Sequence, residues 1–251
     1  GYIRKHLLRD SGMVHIDRVG KTDIPGTLND YAFVTEGFLD LYEAGFDIED
    51  LMTARALADR MTALFRSPEG GFYTTSSEAR NLVARTMTGY DGATPSGNSV
   101  AVSNLLRLAR LTGEKEYEQD AIGTLRRFHG MFGSYPSGFA RMLSGLDLLL
   151  QPGTELALFL PDEKTGREFV RLLNRYPDPF RTTVVIRGEK ATKEQQELIP
   201  LLRDREAVDG KPTVYLCRNA TCLPVVHTVE ELEKLLISPG TLDTEKGSNR
   251  L

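Results

Sequence analysis

Ser96-Gly-Asn-Ser-Val-Ala-Val-Ser-Asn-Leu-Leu-Arg-Leu-Ala-Arg-Leu111 is the stretch that decides the fold. Its apolar residues (Val100, Ala101, Val102, Leu105, Leu106, Leu108, Ala109, Leu111) have helical spacing but occupy almost every side, with Arg107 and Arg110 near the end. A helix that is apolar all round must be covered all round. Residues 28–41 share this character: Tyr31, Val34, Phe38 and Leu41 fall at steps of three or four, and Ala32, Phe33 and Leu39 form a second side. Thr27 or Asn29 suits the N-cap of that helix, and Gly45 sits just past its end. Each two-sided segment is followed by a one-sided one. Residues 48–65 carry one stripe (Leu51, Ala54, Leu57, Ala58, Met61, Leu64, Phe65) with charges opposite, and 114–132 carry another (Tyr117, Ala121, Leu125, Phe128, Phe132). Residues 139–150 are again two-sided.

The order inner, outer, inner, outer, inner predicts tandem αα-hairpins. The first two inner helices start about 65–70 residues apart, which fits a repeat architecture. A closed α/α toroid is the natural form, and a plain antiparallel bundle is the alternative. Near Gln151-Pro152-Gly153 the character changes. Strands at 155–160, 182–187 and 213–217 alternate with helices at 164–176, 193–203 and 229–237, which predicts βαβ units in a small, mostly parallel sheet. The expected fold is mainly α with an α/β appendage. Residues 1–150 form an α/α-hairpin domain, 151–237 an α/β subdomain, and 238–251 a disordered tail.

Among 251 residues, 31 Lys+Arg and 35 Asp+Glu leave a formal net charge of −4, which offers no electrostatic footprint for nucleic acid. No apolar run approaches the roughly 20 residues needed to cross a bilayer. Two cysteines do not make a disulfide framework, and the expected compartment is the reducing cytoplasm. Gly1 in place of an initiating Met suggests a processed, tagged or excerpted chain.

The most unusual stretch is Tyr90-Asp-Gly-Ala-Thr-Pro-Ser-Gly-Asn-Ser-Val, whose polar residues lead directly into the helix quoted above. One reading is structural: Thr94 or Ser96 caps the helix and Pro95 suits its first turn. The other is functional, because a helix start with orphan N–H groups favours anionic or hydroxyl-rich ligands. Asp91 and Asn98 would then bond sugar hydroxyls, with Asp91 an acid or base. Asn29-Asp30-Tyr31 occupies the same place on the other inner helix, and two helix starts converging on one pocket would set Asp30 opposite Asp91. Glu36, two turns further on, is either at a wet margin or a cavity base. Asp30, Asp91 and Glu36 are therefore the catalytic candidates; Tyr31, Thr94, Ser96 and Asn98 are the ligand-positioning ones. Cys217 and Cys222 (C-x4-C) are either two structural thiols, or a labile disulfide or redox pair, and their spacing fits neither zinc nor a C-x-x-C centre. His6, His15, His129 and His227 are scattered, so no metal site is expected. No P-loop, G-x-G-x-x-G or G-x-S-x-G is present, and no cofactor is implied.

Asp91-Gly-Ala-Thr-Pro-Ser-Gly-Asn-Ser, with Leu28-Asn-Asp-Tyr-Ala upstream and Tyr215-Leu-Cys-Arg-Asn-Ala-Thr-Cys-Leu-Pro-Val downstream, resembles the spermatogenesis-associated thioredoxin-like proteins. The likeness runs over about residues 3–237. It implies a six-hairpin α/α toroid related to N-acylglucosamine epimerases and several glycoside hydrolases, preceded in full-length members by a thioredoxin-like domain. The chain resembles the C-terminal portion only; the thioredoxin-like domain, its cysteine-bearing motif and the earlier hairpins have no counterpart in it. Five long helices cannot close such a ring, so inner-helix surface would face solvent, and such a patch normally marks an interface. Three functions follow as expectations: a carbohydrate isomerase, epimerase or hydrolase site; a non-catalytic scaffold for a thioredoxin-like domain, a missing toroid half or a second copy; or a thiol redox protein.

Overall fold

Asp30 reaches back one turn to accept hydrogen bonds from the Thr27 N–H (2.7 Å) and hydroxyl (2.7 Å), and so starts the first long helix. In the computed structural model, which describes residues 1–9, 12–16, 24–80, 82–218 and 221–237, the chain divides into two units, Gly1–Gln151 and Pro152–Leu251. The tail expected at 238–251 lies outside the described residues. The chain is mainly α-helical, with nine α-helices among the described residues and one small mixed sheet of four strands.

In the first unit a short helix α1 (Tyr2–His6) precedes an antiparallel pair, β1 (Leu8–Arg9) and β2 (Gly12–Met13). The long helices follow: α2 (Leu28–Gly45), α3 (Ile48–Phe65), α4 (Gly97–Thr112), α5 (Lys115–Ser134) and α6 (Ala140–Leu150). Helices α2 and α3 form one hairpin and α4 and α5 the next; α2, α4 and α6 lie side by side with α4 in the middle. Gly45, expected beyond α2, is its last residue, and Phe46 takes the left-handed cap (φ 57) so that Asp47 can cap α3 at once.

Among the described long helices α4 is the most completely covered, packing on α2, α5 and α6. Its Val100, Ala101, Val102, Leu105 and Leu108 are fully buried, each Val or Leu contributing roughly 1.5–3 kcal/mol. Helix α6 corrects the two-sided expectation, and α2 meets it in part, burying Tyr31 and Phe38 on one side and Ala32 and Leu39 on the other. Phe33 and Leu41 of α2 are 36% and 55% exposed, and α6 buries one stripe, Met142, Gly145 and Leu148, while Leu150 is exposed. Apolar spacing reports which faces could be covered; the number of neighbouring helices decides which faces are.

The loop from α3 to α4 crosses α5 closely. Gly70 (φ +89) lies where a Cβ would stand 2.5 Å from the carbonyl oxygen of Gly123 in α5. Gly70→Ala therefore combines a disfavoured backbone angle with a backbone clash. It is expected to lower stability by about 2–3 kcal/mol, read as a fall in the thermal midpoint.

In the second unit β3 (Thr154–Phe159), α7 (Glu163–Arg175) and β4 (Arg181–Ile186) make a βαβ unit with parallel strands. Helix α8 (Lys193–Leu198), β5 (Thr213–Arg218), β6 (Thr221–Cys222) and α9 (Val229–Ile237) complete it. The sheet order is β4-β3-β5-β6, with β5 antiparallel to β3 and β6 antiparallel to β5, so the sheet is mixed and not mostly parallel. The helix expected over 193–203 stops at Leu198 because Ile199 precedes Pro200 and takes an extended backbone. Six helical residues rise about 9 Å, half of a six-residue strand of about 20 Å. Such a connection does not carry the chain back along the strand for another parallel crossover. Leu156, Leu158, Phe159, Phe169, Val214, Leu216 and Leu232 build the buried core of this unit.

Candidate functional site at the starts of the inner helices

The starts of α2 and α4 touch. The Gly97 N–H donates to Asn29 Oδ1 (3.0 Å), and a Cβ at position 97 would stand 2.5 Å from that oxygen. One turn deeper, Asn104 Nδ2 donates to the Ala32 carbonyl (2.7 Å). Donors at the start of α4 are met by side chains of this chain, Asn29, Asp91 and Ser96. Ser96 is the N-cap, its Oγ accepting from the Ser99 N–H (3.1 Å), while Thr94 is exposed and takes no part in the cap. Asp91 holds two helix starts together: Oδ1 accepts from the Ser96 N–H (2.9 Å), and Oδ2 from the N–H groups of Arg141 (2.9 Å) and Met142 (3.4 Å) on α6.

Asn98 is fully buried and pins the long loop to α4. Its Oδ1 accepts from the Phe72 N–H (2.8 Å), and Nδ2 donates to the carbonyls of Phe72 (2.9 Å) and Thr88 (2.9 Å). Tyr31 is buried against Phe65, and its hydroxyl accepts from the Met13 N–H (2.9 Å). It lines a cavity of about 250 Å³ together with Leu8, Met13, Leu57 and Arg60. None of Asp30, Glu36, Asp91, Thr94, Ser96 or Asn98 lines that cavity. Asp30, besides its capping role, pairs with His15 Nδ1 (2.8 Å).

Arg141 is the residue that sequence reasoning missed. Its guanidinium pairs with Glu36 while its backbone N–H donates to Asp91, so Glu36 and Asp91 are joined through one residue, whereas Asp30 belongs to the Thr27–His15 group. Arg107 bridges Asp40 (2.8 Å) and Glu43 (2.9 Å) of α2 in a second cross-helix ion pair. A carboxylate at 36 on α2 and an arginine at 141 on α6 were visible as charges; nothing local signals that they meet. Beside Asp91, Tyr90 and Tyr135 are each 54% exposed with rings nearly parallel (9°, centroids 6.4 Å apart), and Phe139 meets Tyr90 edge-on.

Cys217 and Cys222 are not two separate thiols but are joined as a disulfide. They sit directly opposite each other in the β5–β6 register, with Cα atoms 3.9 Å apart. Among the described residues no group of three or more His, Cys, Asp or Glu side chains is placed to hold a metal ion, and no helix is long and apolar enough to cross a membrane.

No protein-family model matches the chain. Over 214 residues, 84% of its length, the chain is 31% identical to spermatogenesis-associated protein 20 of Mus musculus and 30% identical to that of Homo sapiens. An uncharacterized protein of Caenorhabditis elegans is 25% identical over 217 residues, 86% of the chain and 29% of that protein. The match covers 27% of the mouse and human proteins, so the chain spans about a quarter of the length of these relatives. Across this matched region the chain belongs to the spermatogenesis-associated protein 20 family.

Proposed function

We propose that this chain is a non-catalytic assembly module. Residues 1–150 act as part of a six-hairpin α/α toroid that receives a further αα-hairpin, from a longer chain or a second copy, on the open flank of α2. Residues 151–237 form a separate α/β subdomain. One observation carries this reading: Asp91, Ser96 and Asn98 are committed to this chain's own backbone, while Phe33 and Leu41 of α2 stay exposed. Exposed apolar surface of this kind marks an interaction site, and the greater length of the relatives supports an array with more hairpins. A cytoplasmic location goes with the reading. In sedimentation at tens of micromolar, the isolated chain is expected to self-associate, and Phe33→Glu with Leu41→Glu to make it monomeric with unchanged helicity. A monomer in both cases overturns the reading.

The stacked, exposed Tyr90 and Tyr135 beside Asp91 favour a second reading, a carbohydrate site of isomerase, epimerase or hydrolase type with Asp30, Glu36 and Asp91 as acid/base groups. It requires those carboxylates to leave their present partners. Titration with monosaccharides and short oligosaccharides that leaves the Tyr90 and Tyr135 signals unmoved ends it.

A further inference from the structure

We propose that Cys217–Cys222 is a thiol–disulfide exchange site, opened at Cys222 by a dithiol and poised by Arg205. The inference concerns the second unit and stands independently of the assembly reading.

The two sulfurs differ in surroundings. Cys217 lies on β5 and is 2% exposed, whereas Cys222 on the short β6 is exposed. The Arg205 guanidinium lies 3.5 Å from the Cys217 sulfur and 3.6 Å from the Cys222 sulfur, one cation serving both ends of the bond. It is held there from two sides: it donates to the Leu201 carbonyl and lies 5.6 Å above the Tyr215 ring. The neighbouring carboxylate Glu206 pairs with Lys190 (3.1 Å), and Tyr215 is anchored through its hydroxyl to the Glu206 carbonyl (2.8 Å). Glu155, opposite Cys217 on β3, is an exposed carboxylate. A disulfide with no role beyond cross-linking does not require a fixed cation beside both sulfurs. A site that must release a thiolate benefits from one, because a cation stabilises the thiolate and a more stable leaving thiolate departs faster.

The chemistry balances with a dithiol as reductant. Its thiolate attacks the exposed Cys222 sulfur; the new S–S bond forms a mixed disulfide, and the Cys217–Cys222 bond breaks with its electron pair going to Cys217. Arg205 holds that thiolate in its buried position. The second thiol of the dithiol, as thiolate, then attacks its own partner sulfur in the mixed disulfide and expels Cys222 as a thiolate. The dithiol leaves as a disulfide, its two electrons and two protons now on Cys217 and Cys222. In a reducing compartment, a disulfide of this kind is a transient or sensing one.

The test uses the intact, folded chain. Dithiothreitol is added, aliquots are alkylated with iodoacetamide, and intact mass reports the reduced fraction against time. Reduction without denaturant is expected, with Arg205→Gln slower by about 3- to 10-fold and Arg205→Lys restoring most of the rate. With excess glutathione as a monothiol, peptide mapping is expected to find the adduct on Cys222. The proposal is overturned if the bond opens only in denaturant, or if the air-oxidised chain already carries two free thiols. It is equally overturned by an adduct mainly on Cys217, or by an Arg205→Gln rate that is unchanged or faster. A faster rate is what a merely structural arginine would produce, since losing it would loosen the β5–β6 pair.

Discussion

Asn98→Leu is expected to lower the stability of the first unit by about 3–6 kcal/mol, the largest loss of any single substitution considered. Leucine has the same branched shape and number of heavy atoms, so no cavity opens and the cost comes mainly from lost hydrogen bonds. Three backbone groups lose their partner together: the Phe72 N–H, the Phe72 carbonyl and the Thr88 carbonyl. Each buried polar group left unsatisfied costs roughly 1–3 kcal/mol. Asn98→Asp keeps the acceptor for the Phe72 N–H but loses both donors and buries a charge, so it is also expected to destabilise strongly. Denaturant unfolding followed by far-ultraviolet circular dichroism measures both. A loss below about 1 kcal/mol for Asn98→Leu would show that the 72–88 loop finds its bonds elsewhere, and that Asn98 is free to serve a ligand.

Asp91→Ala is expected to cost about 3 kcal/mol, with Asp91→Asn costing about half as much. The carboxylate faces the N-terminal ends of α4 and α6 at once, where it accepts N–H groups that no intrahelical carbonyl can reach and complements both helix dipoles. Asparagine keeps one acceptor oxygen but loses the charge and one of the two accepting positions. Because the Arg141 backbone is held by Asp91 while its side chain pairs with Glu36, the losses from Asp91→Ala and Glu36→Gln are expected to be non-additive in a double-mutant cycle. Additive losses would mean that α6 is held at its start independently of the ion pair. If Asp91 acted as an acid or base instead, Asp91→Asn would leave stability nearly unchanged and abolish a measurable turnover.

Much of the helical unit was legible because burial writes a period into the sequence. The segment read as 48–65 is Ile48–Phe65 to the residue, and 96–111 differs from Gly97–Thr112 by one position at each end. The strands read at 155–160 and 182–187 sit one residue earlier, at Thr154–Phe159 and Arg181–Ile186. The candidate site was legible in residue type but not in role. Ser96 and Thr94 are both good caps on paper, and only the backbone path selects Ser96. Asp91 and Asn98 attract attention as polar residues ahead of an apolar helix; their partners, Arg141 and Phe72, lie 50 and 26 residues away.

From its amino acids alone the chain is committed to αα-hairpins followed by alternating strands and helices, because apolar spacing, caps and Pro-Gly breaks act over a few residues. Which helix flank stays open, which way β5 runs beside β3, that Cys217 meets Cys222 across the β5–β6 pair, and that Glu36 and Asp91 share Arg141 are set only when distant segments come together. The physical reason is range: local backbone preferences reach three or four residues along the chain, whereas coverage and polar pairing depend on neighbours in space.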